Sequence, residues 1–315
     1  MYDDVDIEAL DEAADAAVLD LQGLDAPVLI ESIQLLKIEC AYFVRVRSAD
    51  GVEGLAFTNG RAHHLYPILN ELIIPYFIDK DARDLEQLLF GVYRHRSNYK
   101  LLGQALWCPV AWVEFAILDM LGRVTGRSVA DLMGGAVRER VPFYVASGRR
   151  DSTAQEEVEY LQQLVDETGA KAVKFRVGGR MSRNEDATPG RTKALIALAR
   201  KALGDDIDLH ADANSSYDPP MAIEVGRMLQ DVGAVYFEEP CPFDHLEDTK
   251  RVADALVMPV SGGEQEASLR RFRWMIAHRG VDIVQPDLHY YGGLIRSTRV
   301  ARMAAVMGMP TTVHI

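Results

Sequence analysis

The spacing of hydrophobic and polar positions changes along the chain, and each change predicts a different kind of structure. Residues 27–58 hold short runs rich in Val, Ile and aromatic residues, separated by turn signals, which predicts β-strands with a hairpin turn at residues 48–51. The chain then follows a helical period in three segments: LYPILNELIIPYFI, DLEQLLFGVYRH and CPVAWVEFAILDMLGRVTG. Strands followed by helices predict an α+β domain over residues 27–135.

From residue 141 onward, short apolar runs alternate with helix-like segments. The seven runs are VPFYVAS, AVKFRVG, IDLHADAN, AVYFEEP, MPVSGGE, VDIVQPD and MPTTVHI. Repeated strand–helix units of this size predict right-handed crossovers and a parallel sheet. An open doubly wound sheet is the alternative, but the ordered repeats favour a (β/α) barrel over residues 136–315.

A (β/α) barrel of eight strands contains one strand more than these seven runs. We therefore expect that the last strand is missing, and that the 315 residues are a fragment or the ordered part of a longer chain. Two unpaired parallel edges promote aggregation, so we expect poor solubility or weak activity unless a C-terminal segment is restored. At the other end, residues 1–26 are acidic and are predicted to be a loosely held extension.

The composition argues against several classes of partner. The net charge is −13, from 34 basic and 47 acidic residues, which disfavours nucleic acid and anionic membrane surfaces. No uninterrupted apolar run approaches the roughly 20 residues that span a bilayer, and the acidic N-terminus lacks the basic start of a signal peptide. The scattered cysteines, Cys40, Cys108 and Cys241, predict reduced thiols and a cytoplasmic protein.

Charged residues stand at the ends of five consecutive predicted strands. Parallel strands place their carboxyl ends at one face of a barrel, where barrel enzymes carry out their chemistry. Charges at the end of an apolar strand are costly unless they are paired or bound to a metal. One acid could cap the next helix, but three acids on consecutive strands favour Mg²⁺, because hard oxygen ligands suit this ion. The five residues are Asp212, Glu238, Glu264, Asp287 and His314.

Residues beside these positions allow simpler interpretations. Glu239 could hold Lys174 or orient the metal ligands, and Glu266 could cap the following helix. His210 alternates in phase with Asp212, but a hydrogen-bonded core histidine is the simpler interpretation. The sequence has no Walker loop, no GxSxG and no GxGxxG.

The strand-end residues resemble the enolase superfamily, in its mandelate racemase and muconate lactonizing branch, over roughly residues 27–315. The resemblance rests on ALWCPVAWVEFAILDMLGRVTGRSVADLMGG ahead of the barrel, and on KFR, DAN, FEEP, GGEQ, QPD and the terminal VH within it. It implies an N-terminal capping domain over a (β/α)7β barrel. From Asp212, the successive intervals to Glu238, Glu264, Asp287 and His314 are 26, 26, 23 and 27 residues, a series similar to that of mandelate racemase.

The same resemblance implies roles for these five residues. Asp212, Glu238 and Glu264 would hold one Mg²⁺ per subunit. Asp287 would orient His314 as the base that removes the α-proton of a carboxylate substrate. The metal would neutralise the charge that develops as this proton leaves.

The second predicted strand departs from the family pattern. Racemases and cycloisomerases of this branch commonly carry Lys-x-Lys there, whereas this sequence has Lys174 and Arg176 on one face of the strand. Lys174 would neutralise the substrate carboxylate. Arg176 stays protonated and is a poor base, but it suits a substrate carboxylate or a departing hydroxyl. An ion pair of Arg176 with Glu239 or Glu266 is the alternative.

Further residues are predicted to contact the substrate. Asn214 stands where galactonate- and mannonate-type dehydratases of the superfamily carry a histidine acid, so that acid is absent here. The other candidates are Glu266, Tyr290 and Arg61. Arg61 belongs to the polar segment TNGRAHH, and a second such segment is RHRSNYK. We expect substrate specificity to come from these two segments of the capping domain, with solvated surface as the alternative.

These features together predict a Mg²⁺-dependent acid sugar dehydratase. Such a hydro-lyase removes an α-proton and eliminates the β-hydroxyl through an enediolate. A racemase, epimerase or cycloisomerase is the alternative within the superfamily, and a non-catalytic metal-binding protein or truncated homologue is the alternative from another class. We also expect a small sugar acid as substrate and a homo-oligomeric assembly.

Overall fold

The computed structural model describes residues 5–315, and two sheets organise this part of the chain. The first is antiparallel, in the spatial order β1 (Ile30–Ile38), β2 (Ala41–Ser48) and β3 (Glu53–Phe57). The second is parallel, in the order β4 (Val145–Ala146), β5 (Ala172–Arg176), β6 (Asp208–Asp212), β7 (Tyr236–Glu238), β8 (Val260–Gly262) and β9 (Ile283–Val284). The α-helices are α1 (Ile7–Asp15), α2 (Ala62–Ile68), α3 (Ile74–Phe77), α4 (Leu85–Arg94), α5 (Gly103–Thr125), α6 (Val129–Leu132), α7 (Ala154–Thr168), α8 (Arg191–Leu203), α9 (Pro219–Asp231), α10 (Leu246–Ala255), α11 (Leu269–Ala277) and α12 (Leu294–Val306).

The antiparallel sheet and helix α5 form the centre of the N-terminal part. Gly51, at φ 85°, makes the turn between β2 and β3, and its amide donates to the carbonyl of Ser48, which confirms the predicted hairpin. Helix α5 packs across β2 and β3. By length and composition it is the one helix among residues 5–315 that could cross a membrane, but most of its apolar stretch is buried inside the protein, so it is a core helix.

The parallel strands alternate with helices α7 to α12, and each strand pairs with the next one along the chain. Beyond β9, two parallel bridges continue the order, from Val284 to Thr311 and from Asp287 to His314. The predicted α/β architecture, with an antiparallel capping part and a parallel sheet, is confirmed. The paired strands are shorter than the apolar runs, because β4 and β9 have only two residues each.

Residues 7–15 form helix α1, which packs on α12. Leu10 and Ala14 on its inner face are buried in an apolar cluster with α11 and α12. Asp6 caps the helix by accepting a first-turn amide at 2.9 Å. The prediction of a loosely held extension is therefore wrong for this segment, while residues 1–4 lie outside the described residues.

A buried glutamate joins the two parts of the molecule. Glu114 lies on α5, is fully buried, and accepts at Oε1 the amide of Ile295 in the first turn of α12, at 2.9 Å. Free amides at a helix start need an acceptor, and the Oε1 of this carboxyl group supplies one. Gly293 precedes this turn at φ 112°, and a Cβ at that position would collide with the Glu114 carboxylate, so the contact requires glycine.

Arg296 makes a second connection at the same helix. Its guanidinium lies 3.5 Å from the ring centre of Trp107 on α5 and 4.3 Å from that of Tyr291. Its Nε donates to the carbonyl of Tyr291 at 2.6 Å, and its Nη2 donates to the carbonyl of Ala267 at 2.9 Å. Helix α5 therefore fixes the start of α12 through one buried acid and one half-buried base.

The substitution Glu114→Gln should remove a pH dependence of stability. Burial raises the pKa of Glu114 from 4.5 to about 8, against the opposing effect of the amides of Ile295 and Leu294. The folded state therefore keeps a proton that the unfolded state releases above about pH 4.5. Between about pH 4.5 and 8, the wild-type free energy of unfolding should fall by up to about 1.4 kcal/mol per pH unit from this group.

Urea titrations at several pH values measure this slope. The side-chain amide that Glu114→Gln introduces keeps an oxygen for Ile295 but does not titrate, so the contribution should vanish in the variant. The matched control is Asp119→Asn, on the same helix, where the carboxylate pairs with Arg123 at the surface. A slope that is the same in Glu114→Gln and in the wild type would contradict this role of Glu114.

Candidate active site

The parallel strands bring the predicted site residues to one end of the sheet. In the strand register, Arg176 on β5 lies beside Asp212 on β6, and Asp212 lies beside Glu238 on β7. Glu264 follows β8 by two residues, and Asp287 follows β9 by three residues. Glu264 therefore lies on the loop after its strand, and Asp287 lies in the isolated parallel bridge to His314 beyond β9, so neither is at the strand end that the sequence predicts.

Two of the carboxylates are each held by a basic residue of β5. Lys174 Nζ lies 2.8 Å from both Oε1 and Oε2 of Glu238, and both side chains are buried. Arg176 pairs through Nη1 with Oδ2 of Asp212. The alternatives in which Glu239 holds Lys174 or Arg176 are therefore wrong, because each cation has another carboxylate.

His314 lies between two carboxylates. Its Nδ1 is 2.6 Å from Oδ2 of Asp287, and its Nε2 is 3.0 Å from Oε2 of Glu264. The other oxygen of Asp287, Oδ1, accepts the amides of His289 and Tyr290 at 2.7 Å and 2.6 Å. These two amides fix the orientation of the Asp287 carboxylate, and the carboxylate in turn orients the imidazole.

The charges of this cluster shift the pKa values of two groups in opposite directions. Burial works against the charged imidazole, but hydrogen bonds and charge from Asp287 and Glu264 raise the pKa of His314 to about 10. Burial also works against the ionised form of Glu264, but His314 and Lys174 lower its pKa to about 2. In this arrangement His314 and Glu264 form an ion pair at neutral pH.

The residues present fit a Mg²⁺ ion. Glu238, Glu264 and His314 each bring a possible ligand atom within 4.8 Å of the others. Asp212, the third predicted carboxylate ligand, is not in this group, although it lies beside Glu238 in the strand register. The buried Oε1 of Glu239 has no hydrogen-bond partner in the described part of the chain, so a polar oxygen at this site remains free. Buried carboxylates of this kind are the hard ligands that Mg²⁺ prefers.

Asn214 belongs to the site through its contacts with Asp212. Its backbone amide donates to Oδ1 of Asp212 at 2.7 Å, and its Nδ2 donates to Oδ2 at 3.1 Å. Its Oδ1 accepts from Nη2 of Arg150 at 2.8 Å. Sequence reasoning missed Arg150, although two adjacent arginines just after the run VPFYVAS were a signal at a predicted strand end.

The remaining predicted substrate contacts fall into two places. The guanidinium of Arg61 lies 5.8 Å from the ring centre of Tyr290, so the segment TNGRAHH reaches the loop that follows Asp287. Glu266 accepts two amides ahead of α11, both at 2.8 Å, and pairs with Arg271 at 3.0 Å. Both amides precede the first turn of α11, so Glu266 fixes the loop ahead of the helix and does not cap the helix itself. Its contact with substrate stays a prediction.

His210 lies in the core, as its simpler interpretation predicts, but, among the described residues, without the hydrogen bond that this interpretation expects at Nδ1. Its ring stacks on Tyr236 with 4.1 Å between ring centres, and Tyr144 meets it edge-on at 5.2 Å. Burial, and then the charge of Lys174, lower the pKa of His210 to about 4, so the ring is neutral. Its Nδ1 has no hydrogen-bond partner among residues 5–315, so packing and not hydrogen bonding holds that side of the ring.

Three features together define the class of enolase-superfamily enzymes. They are an antiparallel capping part, a parallel sheet with acids after successive strands, and a His–Asp pair. The chain belongs to the mandelate racemase/muconate lactonizing enzyme family of that superfamily. Residues 32–134 match the family's N-terminal domain, and residues 156–315 match the enolase C-terminal domain-like family. The resemblance predicted from the strand-end motifs is confirmed.

Relatives of known activity are distant. Arabinonate dehydratase of Saccharolobus solfataricus is 28% identical, over 85% of this chain and 70% of its own length. L-talarate/galactarate dehydratase of Salmonella typhimurium is 28% identical, over 92% of this chain and 71% of its own. Among solved structures, a candidate racemase from Roseobacter denitrificans superposes with a TM-score of 0.84 at 41% identity, covering 91% of this chain and 78% of its own. A mandelate racemase/muconate lactonizing protein from Paracoccus denitrificans, solved with magnesium, has a TM-score of 0.84 at 28% identity and covers 91% and 79%.

Proposed function

We propose that this enzyme is a Mg²⁺-dependent acid sugar dehydratase. The observation that carries the proposal is the position of His314 between Asp287 and Glu264, because it places a base beside a predicted metal ligand. The two relatives named as sugar acid dehydratases support dehydration as the reaction. The magnesium in a related structure supports Mg²⁺ as the ion.

In the proposed reaction, His314 is the base. Asp287 holds its Nδ1, and Nε2 faces Glu264 in this structure. If Glu264 is bound to Mg²⁺ instead of to the imidazole, His314 loses the charge that keeps it protonated, and Nε2 becomes the atom that accepts the α-proton of the substrate. The electron pair of the broken C–H bond moves into the carboxylate and forms an enediolate. It then returns to form a C=C bond as the β-hydroxyl leaves, and a proton from His314, Tyr290 or a water molecule completes the departing water.

The basic residues of β5 act on the substrate carboxylate and the leaving group. Mg²⁺, when bound by Asp212, Glu238 and Glu264, supplies positive charge that stabilises the enediolate. Lys174 neutralises the substrate carboxylate. Arg176, which stays protonated, binds the same carboxylate or stabilises the departing hydroxyl.

A racemase or epimerase is the second candidate, because the candidate racemase from Roseobacter denitrificans is 41% identical to this chain. Product mass separates the two, since dehydration removes one water and isomerisation leaves the mass unchanged. The test is a library of aldonic and aldaric acids, assayed for α-keto acid formation and by mass spectrometry. Full turnover after exhaustive chelation would contradict the metal-dependent reaction, and conversion without loss of water would favour the second candidate.

Arg176 leads to the expectation that only one face of the substrate exchanges its α-proton. His314 lies beyond the last strand of the parallel sheet and Arg176 lies on the second strand, β5, where the family resemblance places a second base opposite the histidine. Because an arginine does not release its proton at ordinary pH, only one α-epimer should take up deuterium in D₂O, as measured by NMR. Arg176→Lys supplies a possible base and should allow exchange of the other epimer. Comparable exchange of both epimers by the wild-type enzyme would contradict this role.

The proposal extends to compartment, assembly and domains. We propose a cytoplasmic homo-oligomer with one Mg²⁺ per subunit and with domains at residues 27–135 and 136–315. The three cysteines are free thiols, which fits a reducing compartment. The two family matches support the domain division, and light scattering on the purified protein tests the assembly.

A further inference from the structure

Arg150 lies on the loop after β4, at the opposite end of the strand order from His314. Its Nε donates to the carbonyl of Gly178 at 3.2 Å, and its Nη2 donates to Oδ1 of Asn214 at 2.8 Å. Both acceptors are neutral. Within residues 5–315, Arg150 forms no ion pair with a carboxylate, although its guanidinium is partly buried.

The surroundings of Arg150 add positive charge. Burial, and then the charges of Arg176, Arg180 and Arg191, lower the pKa of Arg150 to about 10. Asp212 neutralises the charge of Arg176, whereas Arg180 is exposed and has no ion pair in the described part of the chain. A partly desolvated cation beside other cations is stabilised when an anion binds to it.

The loops around Arg150 are held in place. Arg191 donates to the carbonyls of Ser152 at 2.7 Å and of Arg149 at 3.3 Å, which anchors the loop on both sides of Arg150. Gly178 is at φ 63°, and a Cβ there would overlap Ser216, so the loops after β5 and β6 touch closely at this point. An arginine that is already positioned loses little freedom when it binds a ligand.

Arg150 is also at a suitable distance from the predicted metal ligands. Nδ2 of Asn214 donates to Oδ2 of Asp212 at 3.1 Å, so only Asn214 separates the guanidinium from Asp212. Two hydrogen bonds and one amide group span roughly 8 Å at most. This is comparable to the length of a sugar acid whose first carboxylate is held at the metal, so the far end of such a substrate can reach Arg150.

We propose that Arg150, with Arg180 at the rim, binds a second carboxylate at the far end of the substrate, so that the substrates of this enzyme are sugar diacids. The inference rests on the proposed acid sugar dehydration, because it assigns the substrate class of that reaction. A terminal phosphate ester carries the same kind of charge, and the test separates it from a carboxylate.

Binding to the His314→Asn protein in the presence of Mg²⁺ tests the inference without turnover. Each diacid is compared by calorimetry with the monoacid of the same configuration, for example galactarate with galactonate, and with the terminal phosphate ester of that monoacid. We expect at least one diacid to bind about 10-fold or more tightly than its monoacid, because a hydrogen-bonded charge pair is added. Equal binding of diacids and monoacids throughout the panel, or preference for the phosphate ester, would overturn the assignment.

Arg150→Gln in the same background should lower the ratio of diacid to monoacid affinity by about 10-fold or more. Arg149→Gln is the matched control and should leave the ratio unchanged, because Arg149 lies over the ring of Tyr160 at 4.8 Å and near Glu157. If Arg150→Gln lowered the affinities for diacid and monoacid equally, Arg150 would only position Asn214, and the inference would be wrong. Absence of sugar acid turnover in the wild type would instead count against the proposed function, while the affinity ratio would still decide the role of Arg150.

Discussion

Replacing His314 with Asn should lower turnover by about 10²- to 10⁴-fold, the usual contribution of a general base. Asparagine can still hydrogen-bond to Asp287, but it cannot take the α-proton. Turnover is measured on whichever sugar acid the library identifies, and α-proton exchange is followed by NMR in D₂O. Mg²⁺ binding should persist, because the three predicted carboxylate ligands are unchanged.

Two further variants sharpen this test. Asp287→Asn keeps the imidazole but removes the charge 2.6 Å from its Nδ1, so exchange should again be strongly reduced. His245→Asn changes an exposed histidine before α10 and should keep full activity. Near-normal exchange in His314→Asn would exclude His314 as the base.

Glu238→Gln should abolish both turnover and Mg²⁺ binding. The change removes the charge of a predicted ligand that lies between Asp212 and Glu264 in the strand order. It also leaves Lys174 without the carboxylate at 2.8 Å, and an unpaired buried charge costs about 3–5 kcal/mol of stability. Calorimetry measures Mg²⁺ binding, and circular dichroism and thermal unfolding measure how much folded protein remains.

Glu264→Gln separates the loss of metal from the loss of fold. Its partner His314 keeps Asp287, so the variant should lose Mg²⁺ affinity with a smaller loss of stability. Glu157→Gln is the matched control, because it removes an equally buried glutamate on α7, close to Arg191, and should lower stability while Mg²⁺ binding persists. Unchanged Mg²⁺ affinity in both Glu238→Gln and Glu264→Gln would disprove the metal assignment.

The positions of Asp212 and Glu238 at the ends of neighbouring parallel strands could be predicted from the sequence. Apolar runs that alternate with helices allow few arrangements, and the intervals between the acids repeat those of a known family. The ends of the strands before Glu264 and Asp287 were less predictable. Pairing between strands ends where the backbone leaves the ladder, and the residue types on the apolar run do not mark that point.

Contacts between distant segments could not be predicted in this way. Arg150 and Asn214 are 64 positions apart, and Glu114 and Ile295 are 181 positions apart. They meet because loops and helices pack together, and no local period encodes that packing. Helix α1 is different, because an N-terminal Asp cap and apolar residues at helical spacing, including Leu10 and Ala14, were present in the sequence.

Glu114 and Arg296 have a consequence for how the molecule comes apart. If the N-terminal part separated from the parallel sheet, the first turn of α12 would lose its carboxylate acceptor, and Arg296 would lose the ring of Trp107. The loop that carries Asp287 runs directly into that turn, so the His–Asp pair would lose its anchor at the same moment. We therefore expect the two parts to melt as one cooperative unit, so that heating removes catalysis together with secondary structure and not ahead of it.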